Sequence, residues 1–483
     1  MPKSMLARIV CLVLLFAVVV FSIAEAAGIM HMRAIAPHVL DGGTLGIGWA
    51  GPFAGLLFSI AFLPMLAPVL WQRHYGKVSF FWGMTFLLPF ALRFGGRGAV
   101  YEVLNIFVSD YMPFMALLVA LYVVGGGIRL VGHLRGNPVS NSAMLVLGLI
   151  AAGWMGTTGA SMLFIRPILE ANSHRKYRAH IVVFFIFLVS NIGGIITPLG
   201  DPPLFMGFLR GVSFFWPTVF LMKPFLVASF LLLVAFFVVD TFLWLYENHS
   251  LEDGQFFTGK LGLEGKVNIL LLALIVGSVI LPGMWKSGVV VTIGRTDIAV
   301  EYVVSDLFLC SIAMFSWALT GMSTRIHNEF HWEPMIEVGK LFAGIFITMV
   351  PVIAMLQAGV NGPFGAVERL VTTGDSFRPG LFYLMTGMLS GFLDNTPTYL
   401  AFFNLAGGHA DVLMWEHPQV LVAISCGAVF MGALTYIGNA PNFMVRAIAE
   451  QRGVKMPGFF GYMLWSLGIL APVLAVVGVV CFM

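Results

Sequence analysis

Charge is scarce in this chain. Only 10% of its 483 residues are Asp, Glu, Lys or Arg, against 59% hydrophobic residues, and the mean hydropathy is +0.93. No soluble core could hide so much apolar surface, whereas a bilayer accepts it on spans of about 20 residues. Cysteine is scarce too. Cys11, Cys310, Cys426 and Cys481 are scattered through apolar segments without CxxC or Cys/His spacing, which argues against disulfides and zinc and leaves them as small buried hydrophobes. No basic stripe suggests nucleic acid, and no low-complexity segment or separate soluble domain is visible. His327, His331 and Glu333 (HNEFHWE) place two histidines at helical i,i+4 spacing but lack the HExxH order of a zinc protease, so they read as polar surface.

What is present is a series of apolar runs. Spans are read near 49–70, 79–95, 111–131, 180–209, 218–246, 267–283, 303–321, 341–360, 419–445 and 459–482. The first 27 residues carry Lys3 and Arg8, an apolar run from Ile9 to Ile23 and then Ala24-Glu25-Ala26, the pattern of a signal peptide or an uncleaved first helix. Residues 247–266 are polar and read as a cytoplasmic connector between halves 28–246 and 267–483, and Gly288 to Val304 alternates like a small β-hairpin. Two stretches, 141–171 and 380–408, are decided by their flanks. Arg129, Arg135, Arg175, Lys176 and Arg178 ask for the cytoplasm on both sides of the first. The second is flanked by balanced or acidic loops suited to the outside, so the pair is expected to be re-entrant hairpins entering from opposite faces.

Two motifs interrupt the apolar sequence. TPLGDPP (Thr197 to Pro203) and TYIGNAP (Thr435 to Pro441) superimpose under one shift of 238 positions, which also carries Asp201 onto Asn439 and Thr157-Thr158 onto Asn395-Thr396. Gly200, Pro202 and Pro203, and Gly438 and Pro441 after them, cannot hold a regular helix. Broken backbone at membrane depth is tolerated only within protein or beside a water-filled cavity. Such paired breaks in two hydrophobic halves point to the binding site of a secondary transporter. The expected fold is therefore an all-α polytopic membrane protein of two inverted repeats, each with a re-entrant hairpin and a broken transmembrane helix.

The candidate substrate or ion ligands are Asp201, Asp394, Asn395, Thr396, Asn191, Thr197, Asn439, Thr157 and Thr158, with Asp394, Asn395 and Asn439 as candidate Na⁺ ligands. Neutral oxygens suit a hard cation or the oxygens of a small metabolite. Each has a plainer reading beside it. Asp201 and Asp394 could cap the helices that follow them, and Thr157 and Thr158 could serve interhelical packing. Arg166 reads as an i,i+4 ion pair with Glu170.

These residues resemble the ion transporter superfamily, which includes citrate transporters, arsenite permeases and sodium/proton antiporters. The likeness rests on SNIGGIITPLGDPPLF (Ser190 to Phe205), SGFLDNTPTYL (Ser390 to Leu400) and TYIGNAPNFM (Thr435 to Met444), with further likeness to antiporter-type members over His331 to Pro351. The resemblance implies a transporter, often dimeric, that holds cation and substrate at hairpin tips and breaks, in a bacterial-type inner membrane. The first tip, Thr157-Thr158-Gly159, departs from the acid-amide pair of the second. Two acids in the motifs favour sodium/proton antiport by alternating access, with Na⁺- or H⁺-coupled citrate or dicarboxylate transport as the alternative. Neither an enzyme nor a cofactor beyond Na⁺ and H⁺ is expected, and the partners are the bilayer, the small cation or carboxylate, and a second copy of the chain.

Overall fold

The computed structural model describes residues 40–132, 135–247, 262–293, 296–373 and 376–482. The signal-peptide reading of residues 1–27 and most of the 247–266 connector lie outside them. Among the described residues the chain is predominantly helical, and eight helices are long and apolar enough to cross a bilayer. The chain is a polytopic helical membrane protein.

In chain order the main helices are α1 (Gly51–Leu66), α2 (Pro68–Phe94), α3 (Gly96–Gly125, with a π turn at Phe107–Tyr111), α4 (Pro138–Met155), α5 (Thr157–Ala171), α6 (Ala179–Leu188), α7 (Pro202–Leu209) and α8 (Met222–Tyr246). The second half adds α9 (Val267–Met284), α10 (Val300–Leu319), α11 (Glu333–Gln357), α12 (Pro379–Phe392), α13 (Asn395–Leu405), α14 (Pro418–Met431), α15 (Ala440–Gln451) and α16 (Phe459–Phe482). The span read over 111–131 begins earlier, because nothing from Gly96 onward stops the helix before Gly125. Helix α4 is itself long enough to span. Helices α5, α12 and α13 are shorter, at 15, 14 and 11 residues.

Burial follows from composition. Helix α6 (AHIVVFFIFL) is apolar on every face, and Ile181 to Val189 are all buried; Val420 to Met431 of α14 are buried likewise. A helix that is hydrophobic all round belongs in the centre. Helices α8, α10 and α16 instead expose Phe230, Phe242, Leu307, Phe315, Phe460 and Leu464, as lipid-facing helices do.

Among the described residues three two-stranded ribbons trim the ends. β1 (Arg129–Val131) pairs antiparallel with β2 (Gly262–Glu264), placing Arg129 opposite Glu264 at 3.4 Å. β3 (Val290–Ile293) pairs with β4 (Thr296–Ala299), as the alternation from Gly288 implied, and β5 (Thr372–Thr373) pairs with β6 (Ser376–Phe377). The two histidines do not share a helix: the turn Met322–His327 ends at the first, and His331 lies in the link to α11, where its carbonyl accepts the Tyr122 hydroxyl at 2.7 Å.

Two polar devices tie helix ends together. Arg325 is buried without a carboxylate partner among the described residues, donating to Val123 O and Ser316 O, each at 2.9 Å, with its guanidinium over the Trp317 ring at 4.6 Å. A cation is favourable at helix C-terminal carbonyls, and here it serves α3 and α10 together. In the first half, Asp240 of α8 accepts from Arg175, His180 (2.8 Å) and Asn141 (2.8 Å), while Asn141 and Asn172 exchange amide bonds and Arg175 also reaches Glu247 at 3.2 Å. This network joins α4, α5, α6 and α8 at one end.

Candidate functional site

Both breaks sit between helix halves that the sequence cannot join. Between α6 and α7 the chain passes through a short 3-10 turn (Ile192–Ile195) and TPLGD; between α14 and α15 it passes through Gly432–Leu434 and TYIGN. Thr197 Oγ1 donates to Gly153 O and accepts from Leu199 N (3.2 Å). Thr435 Oγ1 donates to Gly391 O (2.6 Å) and accepts from Ile437 N (3.1 Å). Each threonine therefore staples its break to a preceding helix, α4 for Thr197 and α12 for Thr435. Gly200 and Gly438 are required by close approach: a Cβ on Gly200 would overlap the Gly194 carbonyl, and one on Gly438 would lie 2.6 Å from Gly432 O and 2.7 Å from Ser390 O.

The carbonyls freed by the breaks find donors, most of them side chains. Ile196 O accepts from the Thr218 hydroxyl (2.8 Å), and Gly200 O accepts from the Thr157 backbone N–H (2.8 Å). In the second break Ala433 O accepts from Tyr462 (2.8 Å), Leu434 O from Ser466 (2.7 Å), and Gly432 O and Thr435 O from the Asn442 amide (2.9 and 3.0 Å). An orphaned buried carbonyl costs about 1–3 kcal/mol, so these partners are what keeps an open backbone stable. Sequence reasoning did not single out Thr218, Tyr462, Ser466 or Asn442. Only Asn442 carried a usable signal, an amide in the first turn after a break.

Asp201 is the hub. It occupies the N-cap position of α7, with Pro202 and Pro203 beginning the helix, yet its side chain makes no cap bond. Instead Oδ1 accepts from Thr157 Oγ1 (3.0 Å) and Asn439 Nδ2 (3.3 Å), and Oδ2 accepts from Asn395 Nδ2. The carboxylate is buried and holds the first tip, the second tip and the second break together. Asn439 caps nothing either; its amide also approaches Asn191 Oδ1 (3.2 Å) and Ser190 O (3.1 Å), and Asn191 in turn donates to Asn442 Oδ1 (2.7 Å). Helix α13 packs on α7 and α5 on α15, so the helix after each break meets a helix far away in the chain.

The remaining candidates are placed around this hub. Thr396 is buried, with Oγ1 3.3 Å from Asn395 Oδ1. Asp394 is half-buried and caps α13, accepting from Thr396 N at 3.1 Å, and its carboxylate is outside the bonds around Asp201. Thr158 makes no bond to the hub and lines a narrow cleft with Thr157, Gly200, Asp201, Tyr122 and Met335. Among the described residues no three His, Cys, Asp or Glu side chains come together as a metal site. Any cation held here would rest on Asp201 and neutral oxygens. Arg166 pairs with Glu329 at 3.2 Å rather than with Glu170, because the α10–α11 connection reaches under α5.

Electrostatically, the hub is a junction of helix beginnings. Helices α5, α7, α13 and α15 all start within it, at Thr157, Pro202, Asn395 and Ala440. Helix N-termini carry partial positive charge and bind anions. Asp394 offsets the start of α13 as its cap, the buried Asp201 offsets the others, and among the described residues no Lys or Arg bonds to Asp201.

A helical membrane protein whose two central helices break around one carboxylate has the make-up of a transporter, and the comparisons agree. Residues 42–482 match the family model CitMHS_2, described as "Putative citrate transport", and the chain belongs to that family, within the superfamily its motifs resemble. It is also similar to uncharacterized transporters from Mycobacterium bovis and Mycobacterium tuberculosis, each 24% identical over 375 residues, covering 70% of this chain and 79% of theirs.

Proposed function

We propose that this protein is a secondary active transporter that carries a small citrate-like carboxylate together with H⁺ or Na⁺ across a bacterial inner membrane. The observation that carries this reading is Asp201: a buried carboxylate, without a basic partner among the described residues, where four helices begin and Asp394 caps one of them. The N-termini suit an anionic substrate, and the carboxylate can take up a proton or cation that accompanies it. Sodium/proton antiport, the first reading of the sequence, becomes the second reading here. It is favoured by the same Asp201 but has less support from Asp394, whose carboxylate is turned to its own helix.

The transport geometry belongs to this proposal. Halves 28–246 and 267–483 act as inverted repeats about the 247–266 connector, with α4–α5 and α12–α13 as re-entrant hairpins from opposite faces, and alternating access moves the hub between the two sides. Candidate ligands at the hub are Asp201, Thr157, Thr158, Asn395, Thr396, Asn439 and Asn191, with Asp394 and Thr197 as supports. Labelling at introduced cysteines should reach positions near Lys176 only from the cytoplasm and positions near Asp411 only from outside; reaction of both from one face removes the inverted arrangement.

The deciding experiment uses liposomes containing the purified protein under an imposed proton or sodium gradient. Uptake of labelled citrate that collapses with the gradient supports the carboxylate reading. Dissipation of a pH gradient by Na⁺ or Li⁺ without organic anion, and no citrate uptake, supports antiport instead.

A further inference from the structure

The hub makes no use of Arg166. This residue lies on α5 eight positions after Thr158, with Met162 midway, so the three share one helix face and Arg166 stands about 12 Å from Thr158 along the axis. That face borders the cleft, since Met162 packs with Tyr122 and Met335, both of which line it. The Arg166 side chain is nine-tenths buried. Its Nη2 donates to Glu329 Oε2 at 3.2 Å, and among the described residues its Nη1 reaches only Met162 O at 3.5 Å and its Nε has no partner. Arg452, just beyond α15, approaches the other oxygen of the same carboxylate at 3.5 Å. Two guanidinium groups, one from each half, thus share one acid.

Glu329 is an unusual residue to find there. Among the described residues it alone combines a side chain with positive φ, at 48°. It follows the turn Met322–His327, with Phe330 N bonded back to Arg325 O at 3.0 Å, a helix ending where glycine is the ordinary choice. A side chain in this conformation is strained, and such strain is retained where the side chain has work to do. Here that work is to occupy the two arginines.

We propose that Arg166 and Arg452 form a carboxylate-receiving station at the Tyr122–Met335 end of the cleft, held at rest by the Glu329 carboxylate and taken over by a carboxylate of the substrate on its way to Thr158 and Asp201. The proposal rests on the carboxylate reading above. The chemistry favours exchange. Guanidinium forks match carboxylates bidentately, Arg166 has a fork edge unfilled, and one Glu329 leaves the pair of arginines with a net positive charge. A di- or tricarboxylate can satisfy both where the single acid cannot.

The test is the concentration dependence of labelled citrate uptake in liposomes, with the thermal shift that citrate produces in the purified protein as a second readout. Arg166→Gln and Arg452→Gln should each raise the half-saturating citrate concentration about tenfold, the scale of a lost charge-assisted bond, with maximal rate little changed. Glu329→Gln should lower it, and Arg166→Lys, which keeps the charge but not the fork, should restore only part of the loss. A mere structural strut would respond in one direction to removal of either partner, so Glu329→Gln moving with Arg166→Gln, or no movement in any variant, overturns the station. Should Arg166→Gln fail to fold, the exposed Arg452 and Glu329 carry the same opposition of sign. If wild-type liposomes take up no citrate yet citrate stabilises the protein with this opposite pattern, the station stands and the transport reading falls; no citrate effect on wild-type melting overturns the station.

Discussion

The two halves place matched helices 238 positions apart and hold them by different physics. In the first half the ends of the hairpin and the broken helix are tied by buried charge: Asn141, Asn172, Arg175, His180 and Asp240 form one bonded group. The corresponding residues of the second half are Pro379, Ala410, Leu413, Pro418 and Gly478. There the same junction is apolar, with Leu413 fully buried and the Tyr383 hydroxyl donating to Leu474 O at 3.0 Å. The centre shows the reverse pattern. Thr197 and Thr435 make the same staple, and Gly200 and Gly438 the same close approach, because both breaks need them. Backbone geometry is thus shared while the polar chemistry is unequal: Asp201 faces Asn439, and Thr157 faces Asn395. The lesson is that the breaks are common scaffold and the single acid is the specialised part.

Four changes would break or sharpen that comparison. The largest effect is expected at the shared scaffold: Gly438→Leu should abolish transport, since its Cβ has no room against Gly432 O and Ser390 O, while the surrounding apolar sequence still drives insertion. Normal transport in correctly inserted protein would remove the break from the site.

Next comes Asp201→Asn, which makes the two breaks chemically alike. Cation-coupled transport should fall by at least about 100-fold, the scale of a lost charge-assisted interaction at a buried centre, with a small fall in melting temperature because the amide oxygen still accepts from Thr157 and Asn439 while its N–H₂ requires Asn395 to turn its oxygen inward. Coupled uptake or exchange at the wild-type rate would make Asp201 only a structural hub.

Arg175→Leu introduces the second half's residue into the first. It leaves Asp240 buried with fewer partners and should cost about 3–5 kcal/mol. Adding Asp240→Asn should recover part of that loss, readable as a rise in melting temperature of the double variant over the single one. A double variant no more stable than Arg175→Leu would show that the network is not an electrostatic unit.

The smallest change is expected from Asp394→Asn. An amide still caps a helix, so stability should move by a few tenths of a kcal/mol, and the cation concentration needed for transport should rise modestly. A loss as deep as that of Asp201→Asn would return Asp394 to the hub as an equal ligand.

Much of this protein was legible as sequence. Scarce charge and repeated apolar runs determine a polytopic helical membrane protein, because only a bilayer accepts that surface. The two Gly/Pro clusters determine where the central helices must open, because proline and close-packed glycine leave no regular alternative. The 238-residue shift marked which polar residues would be matched. The tertiary structure decided how they are used. Asp201 and Asp394 both read as helix caps or ligands from their neighbours alone, but Asp394 caps and Asp201 does not. The difference arises because α13 and α15 from the other half bring Asn395 and Asn439 to the Asp201 oxygens. Arg166 likewise had a local partner in sequence, Glu170, and a distant one in space, Glu329. Local spacing specifies which residues a helix turn brings near one another. Which acid an arginine meets, and whether a carboxylate serves its own helix or a shared centre, depends on contacts between segments far apart in the chain, and these exist only once the helices have packed.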